Sequence, residues 1–82
     1  MKSYQEIVSW LQQQIAGEIK AEPASIATDV PFTDFGMDSI IVVTMVTNLE
    51  EWLNTSLDPT IFWEFPSIEA LSDWLVNEHL KA

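Results

Sequence analysis

Apolar residues return at helical spacing in three stretches of the chain, and the breaks between them lay out a fold. Tyr4, Ile7, Val8, Leu11, Ile15 and Ile19 make the first stripe, because residues three and four apart share one face of a helix. Ser3, with Glu6 three positions later, supplies a capping box at its start. Gln12, Gln13, Gln14 and Glu18 fill much of the polar face, and Trp10 falls at the edge of the stripe, half-buried. The pattern fades near Lys20, just ahead of Pro23. A second stripe, Val42, Met45, Val46, Leu49 and Leu53, predicts a helix over 38–53 capped by Asp38. Ile40, Ile41 and Trp52 then lie off its best-buried face, while Glu50 and Glu51 form an acidic patch near its far end. Ile68, Leu71, Trp74, Leu75 and Leu80 make the third stripe, starting at Ser67 after Pro66 with Glu69 in the first turn.

The segments between the stripes are not plain linkers. Residues 21–37 hold Pro23, Pro31 and Gly36, yet also Ile26, Val30, Phe32 and Phe35. A connection this long and this apolar is expected to cross the bundle and pack as it goes. After a turn at 54–57, Asp58-Pro59 reads as a cap followed by proline at the first helical position. Ile61, Phe62, Trp63 and Phe65 are too many apolar residues for an exposed loop, so a short helix is expected over 59–65. Trp63 reads as a core or boundary residue. The expected fold is all-α: a small four-helix bundle in one domain over 1–82. Three longer helices (3–19, 38–53, 67–80), a short third one and a long first crossover make it up.

Composition narrows the chemistry. Eighty-two residues bury only about 60–65% of the unfolded surface, and the 48% apolar content suffices for so small a core. The chain has no cysteine, hence no disulfide framework, thiolate metal site or cysteine nucleophile. No apolar run approaches the roughly 18 residues that span a membrane, and the N-terminus lacks a signal-peptide pattern. A cytoplasmic, monomeric domain is expected, whether Met1 is its natural start or was added to an excised domain. Thirteen acids against three lysines give a net charge of −10. Nucleic acid and anionic membranes need a basic surface and are excluded as partners; basic proteins fit, although acidity also simply keeps a small protein dissolved.

Catalysis by the chain itself fails on inventory. Its one histidine, His79, lies near the C-terminus, away from any candidate nucleophile. Asp29, Asp34 and Asp38 lack the glycine and glutamate positions of a calcium loop. With only Gly17 and Gly36 there is no glycine-rich phosphate loop. What remains is Asp34-Phe35-Gly36-Met37-Asp38-Ser39-Ile40, where one glycine turn delivers a hydroxyl to the start of an apolar helix. Read from the residues alone, this is either an ordinary helix start or a hydroxyl placed for modification.

Phe32-Thr33-Asp34-Phe35-Gly36-Met37-Asp38-Ser39-Ile40 resembles the phosphopantetheine attachment motif of acyl carrier proteins. Pro59 to Ile68, followed by Leu71, is similar to the third- and fourth-helix entry of polyketide synthase carrier domains. The resemblance implies that Ser39 receives 4′-phosphopantetheine from coenzyme A through a phosphopantetheinyl transferase, which supplies activation and magnesium. Acyl intermediates then ride as thioesters on the arm, presented to acyltransferase, ketosynthase and tailoring domains. Gly36 and Asp38 carry over as motif positions around the attachment site. Met37-Asp38 before the serine looks like polyketide or fatty acid carriers rather than peptidyl ones. Ile41 and Thr44 stand where freestanding fatty acid carriers commonly place acids, which points to a polyketide synthase type. Ile40, Ile41, Glu50, Glu51, Trp52 and Trp63 are the candidate docking residues. A peptidyl or aryl carrier, and an unmodified acidic helical adaptor for basic proteins, remain as alternatives.

Overall fold

A computed structural model describes residues 2–58 and 60–79 of the chain. The first helix, α1, spans Tyr4–Ile19 and opens on the capping box. There the Glu6 N–H donates to Ser3 Oγ at 3.2 Å and the Ser3 N–H donates to Glu6 Oε1 at 3.1 Å. Ile7, Val8, Leu11, Ile15 and Ala16 are its buried face. Tyr4 and Ile19, expected in that stripe, stand more than a third exposed. They occupy the end turns, where fewer neighbours reach them.

α2 spans Ser39–Leu53 and buries Val42, Met45, Val46 and Leu49. α3 is one turn, Ile61–Glu64, shorter than the 59–65 expected. At its start the Asp58 carboxylate takes both the N–H and the hydroxyl of Thr60, which holds a turn ahead of the helix. At its end Phe65 has left helical geometry (φ −122, ψ 86), as a residue before proline is pushed to do. The expected proline at the first helical position, Pro59, lies outside the described residues.

α4 spans Ile68–Trp74, capped by Ser67, and continues as a wider turn over Leu75–His79 instead of the regular helix to 80 that was expected. The Asn77 side-chain amide donates to the Asp73 carbonyl at 3.0 Å. That carbonyl is the acceptor a regular helix reserves for Asn77's own N–H. Leu80, expected in the stripe, lies outside the described residues. Among the described residues there is no strand, only an isolated pairing of Pro31 with Ser67.

That pairing fixes the crossover. The Phe32 N–H donates to the Pro66 carbonyl at 2.7 Å, and the Glu69 N–H donates to the Thr28 carbonyl at 3.0 Å. The Thr28 hydroxyl donates in turn to the Glu69 carboxylate. Further back, the Gln12 amide holds the Ile26 carbonyl at 2.8 Å. Ile26 and Phe32 are buried anchors, whereas Val30 and Phe35 are half-buried. The crossover is therefore clipped to the entry of α4, and residues 32–38 reach α2 from a fixed direction.

Candidate functional site

The chain enters α2 through a 3-10 turn, Phe32–Phe35, that ends on Gly36 at φ +73. A Cβ there would meet nothing within 4 Å, so the glycine answers to backbone conformation rather than to crowding. Two residues later Asp38 is extended (φ −86, ψ 176), and its Oδ1 accepts the Ile41 N–H at 2.9 Å. This satisfies one of the orphan donors of the first turn. The N–H groups of Ser39 and Ile40 have no earlier carbonyl in the helix to bind. Ser39 is the first helical residue and is exposed.

Beside Ser39 lies a cleft of about 240 Å³. Its floor is apolar and buried, made of Phe32 from the crossover, Val42 from α2 and Phe62 from α3. The rings of Phe32 and Phe62 meet at 4.7 Å, tilted by 58°. Thr33, Asp38, Ser39 and Trp63 form its exposed edge, with Met37 half-buried between. One end of the helix thus carries a hydroxyl, unpaired backbone donors and an apolar recess together. This donor set fits a phosphodiester on the Ser39 hydroxyl, since helix N-termini favour anions.

The other candidates separate into two groups. Ile40, the residue after Ser39, is 75% exposed, and Trp63, at the edge of this cleft, is 59% exposed. The core or boundary reading of Trp63 is thereby corrected: α3 buries Ile61 and Phe62, and the following residue of a single turn points outward. Ile41 is half-buried against the core. Trp52 stands 13 residues beyond Ser39, about 20 Å along the helix. It stacks on Trp10 at 5.1 Å and 13°, with Lys2 Nζ 4.8 Å from its ring centroid. Glu50 accepts the Leu57 N–H at 2.8 Å, a tie within the fold, while Glu51 is exposed nearby. Val43, 46% exposed on the same face as Ile40, escaped the sequence reading. Its spacing of three from Ile40 is the signal that was there to find.

The family profile described as "Phosphopantetheine attachment site" matches residues 9–75. Over 76 residues the chain is 36% identical to the polyketide synthase PksL of Bacillus subtilis, covering 93% of this chain but 2% of that protein. It is 32% identical over 71 residues to the acyl carrier protein TtuC of Teredinibacter turnerae, covering 87% of this chain and 82% of TtuC. A free-standing peptidyl carrier protein from Acinetobacter baumannii superposes with a TM-score of 0.87 at 33% identity, covering 96% of this chain and 99% of that one.

Proposed function

The chain belongs to the phosphopantetheine-attachment family of carrier proteins, and from that premise we propose that Ser39 is the residue that bears its cofactor. It is a carrier domain homologous to those of polyketide synthases, in a family that is generally non-catalytic. When bound, the cofactor supplies a flexible arm whose terminal thiol holds an acyl group as a thioester. The chain's own residues do the presenting. Gly36 makes the turn, Asp38 holds the helix start by its bond to the Ile41 N–H, and Ser39 offers its Oγ to solvent. The first-turn amides favour the phosphodiester's charge, and the floor of Phe32, Val42 and Phe62 keeps water from one side of the cleft.

The cargo on this reading is an acyl or polyketide intermediate. The partners are a phosphopantetheinyl transferase and the acyltransferase, ketosynthase and tailoring domains of a polyketide synthase. The chain spans 2% of PksL, so the pathway of that synthase does not pass to it with the fold. No helix among the described residues is long and apolar enough to cross a membrane, and the reading places the protein in the cytoplasm.

One observation carries the assignment of Ser39: it is an exposed hydroxyl on the first helical residue, at the mouth of an apolar cleft, within the matched span. Incubation with coenzyme A and a broad-specificity phosphopantetheinyl transferase, followed by intact mass measurement, tests it. The wild type should gain one phosphopantetheine and Ser39→Ala none. A gain that survives Ser39→Ala rejects the assignment.

A further inference from the structure

The crossover is held on the first turn of α4 by two residues that bond each other twice. The Glu69 N–H has no earlier carbonyl in its helix to bind, and the Thr28 carbonyl takes it at 3.0 Å. The Thr28 hydroxyl returns a bond to the Glu69 carboxylate, across 41 positions of sequence. A little further along the same seam Pro31 pairs with Ser67, and the Phe32 N–H donates to the Pro66 carbonyl at 2.7 Å. Pro66 also follows the end of α3, where the Phe65 N–H donates to the Ile61 carbonyl at 2.8 Å. The two sides of the seam each carry one wall of the cleft: Phe32 from the crossover and Phe62 from α3, with ring centroids 4.7 Å apart. Thr28 and Glu69 are not among the residues that line the cleft. Thr28 is half-buried and Glu69 exposed.

We propose that Thr28 and Glu69 are positioning residues for the cleft beside Ser39: their paired bonds latch the crossover to the α3–α4 joint, so that the Phe32 wall and the Phe62 wall move as one unit. α3 is a single turn, too short to hold its own place, so its position follows from what its ends are tied to. Its far end runs through Phe65 into Pro66, whose carbonyl holds Phe32. To part the two rings, α3 must either break that bond or carry the crossover with it. The latch, four residues before Phe32, selects the second course. A hydroxyl bond to a carboxylate is charge-assisted, yet Glu69 is exposed and solvent screens it. The latch therefore opens far more often than the core does. On the carrier reading, a group borne by Ser39 meets a floor whose openness is set at Thr28 and Glu69, outside the cleft itself. The latch follows from contacts within the fold and stands apart from the assignment of Ser39.

The test follows backbone amide exchange residue by residue by NMR on the full, unmodified chain. The amide of Leu11, fully buried on α1, is the internal reference. A variant that is merely less stable speeds Leu11 as well, whereas release of the latch speeds only the amides it holds. Thr28→Val keeps the shape and loses the hydroxyl. It is expected to speed Phe32 about fivefold relative to Leu11, and Phe65 by the same factor. Glu69→Ala should act alike, Thr28→Ser should stay within about twofold of wild type, and Glu69→Gln, which keeps an acceptor oxygen, should fall between. Thr28→Val combined with Glu69→Ala should exceed the larger single effect by no more than about twofold, since both remove one bond. The proposal is overturned if Phe32 stays within about twofold of wild type in Thr28→Val, or if Thr28→Ser speeds it as much. It is also overturned if Phe32 quickens while Phe65 does not, because the two walls then move separately. Single effects that multiply in the double variant overturn it too, because the two residues then act apart. No transferase or cofactor enters these measurements, so each outcome bears on the latch alone, and the loading experiment on Ser39→Ala decides the assignment of Ser39.

Discussion

At its N-terminal end α2 leaves Ser39, Ile40 and Val43 open to solvent, whereas at its C-terminal end Glu50 and Trp52 are drawn into contacts that close the bundle. Both ends use a short polar residue to finish the helix: Asp38 accepts an N–H at the start, and Asn54 turns left-handed (φ 56) at the finish. Both also carry large apolar side chains away from the core stripe. The difference lies in what meets them. Trp52 finds Trp10 and Lys2, and the Glu50 carboxylate finds the Leu57 N–H. Ile40 and Val43 stay exposed, as does Trp63 at the edge of the cleft. Apolar residues off a helix's core face therefore do not by themselves reveal a docking surface. One end spends them on holding the fold and the other leaves them exposed to solvent.

Changes at the closed end should cost stability and leave modification alone. Trp52→Ala removes a ring stacked on Trp10 and the cation–π contact to Lys2, for an expected loss of about 2 kcal/mol. Denaturant melts measure that loss, and the rate of phosphopantetheine loading should stay within about twofold of wild type. A loading defect larger than the lost folded population explains would blur the division between the ends.

At the open end the backbone carries the strain. Gly36→Ala places a side chain at φ +73 without a clash, so about 1–2 kcal/mol should be lost through conformation alone. Gly36→Asn, better tolerated in that region, should recover part of it in the same melts.

Asp38 separates capping from charge. Asp38→Ala leaves the Ile41 N–H without its acceptor and should cost about 1 kcal/mol. Asp38→Asn keeps an acceptor and should melt close to wild type. If loading falls equally in both variants, the carboxylate serves the transferase; if it falls only with alanine, the cap alone matters.

The smallest effect lies off α2. Bonds from the Ser3 backbone N–H and side chain hold the Glu6 carboxyl below its ordinary value, and bonds from the Thr60 N–H and hydroxyl do the same for Asp58. A carboxyl depressed in the folded state adds stability that is fully present above its unfolded pKa. That stability disappears as pH falls through the folded value. Melting temperature should therefore drop on the acid side of the ordinary carboxylate range. Glu6→Gln, which keeps an acceptor but does not titrate there, should flatten part of that slope.

Much of the helical layout was written in local signals. Ser3, Asp38 and Ser67 each place a side-chain oxygen on an N–H two or three residues into a helix, and the buried faces follow the apolar spacing. The outer ends were harder. Residue types alone do not tell that Asp58 would bind Thr60, or that the Asn77 amide would reach the Asp73 carbonyl. The cleft was not legible, because Phe32 and Phe62 stand 30 positions apart and meet only through packing. Nor was Ser72, a polar residue fully buried on α4 whose Oγ has no hydrogen-bond partner among the described residues. Apolar periodicity has no means of marking such a position. The attachment segment could be singled out from the residues, but choosing between a plain helix start and a modified hydroxyl took the resemblance.

The assignment on which both ends turn is best tested by locating the cofactor on the chain. Protein loaded by the transferase is digested, and the phosphopantetheine-bearing peptide is fragmented by tandem mass spectrometry. The account predicts the whole modification on Ser39, with Thr33, Thr44 and Ser67 bare. Cofactor on any of those three, with Ser39 unmodified, would contradict it.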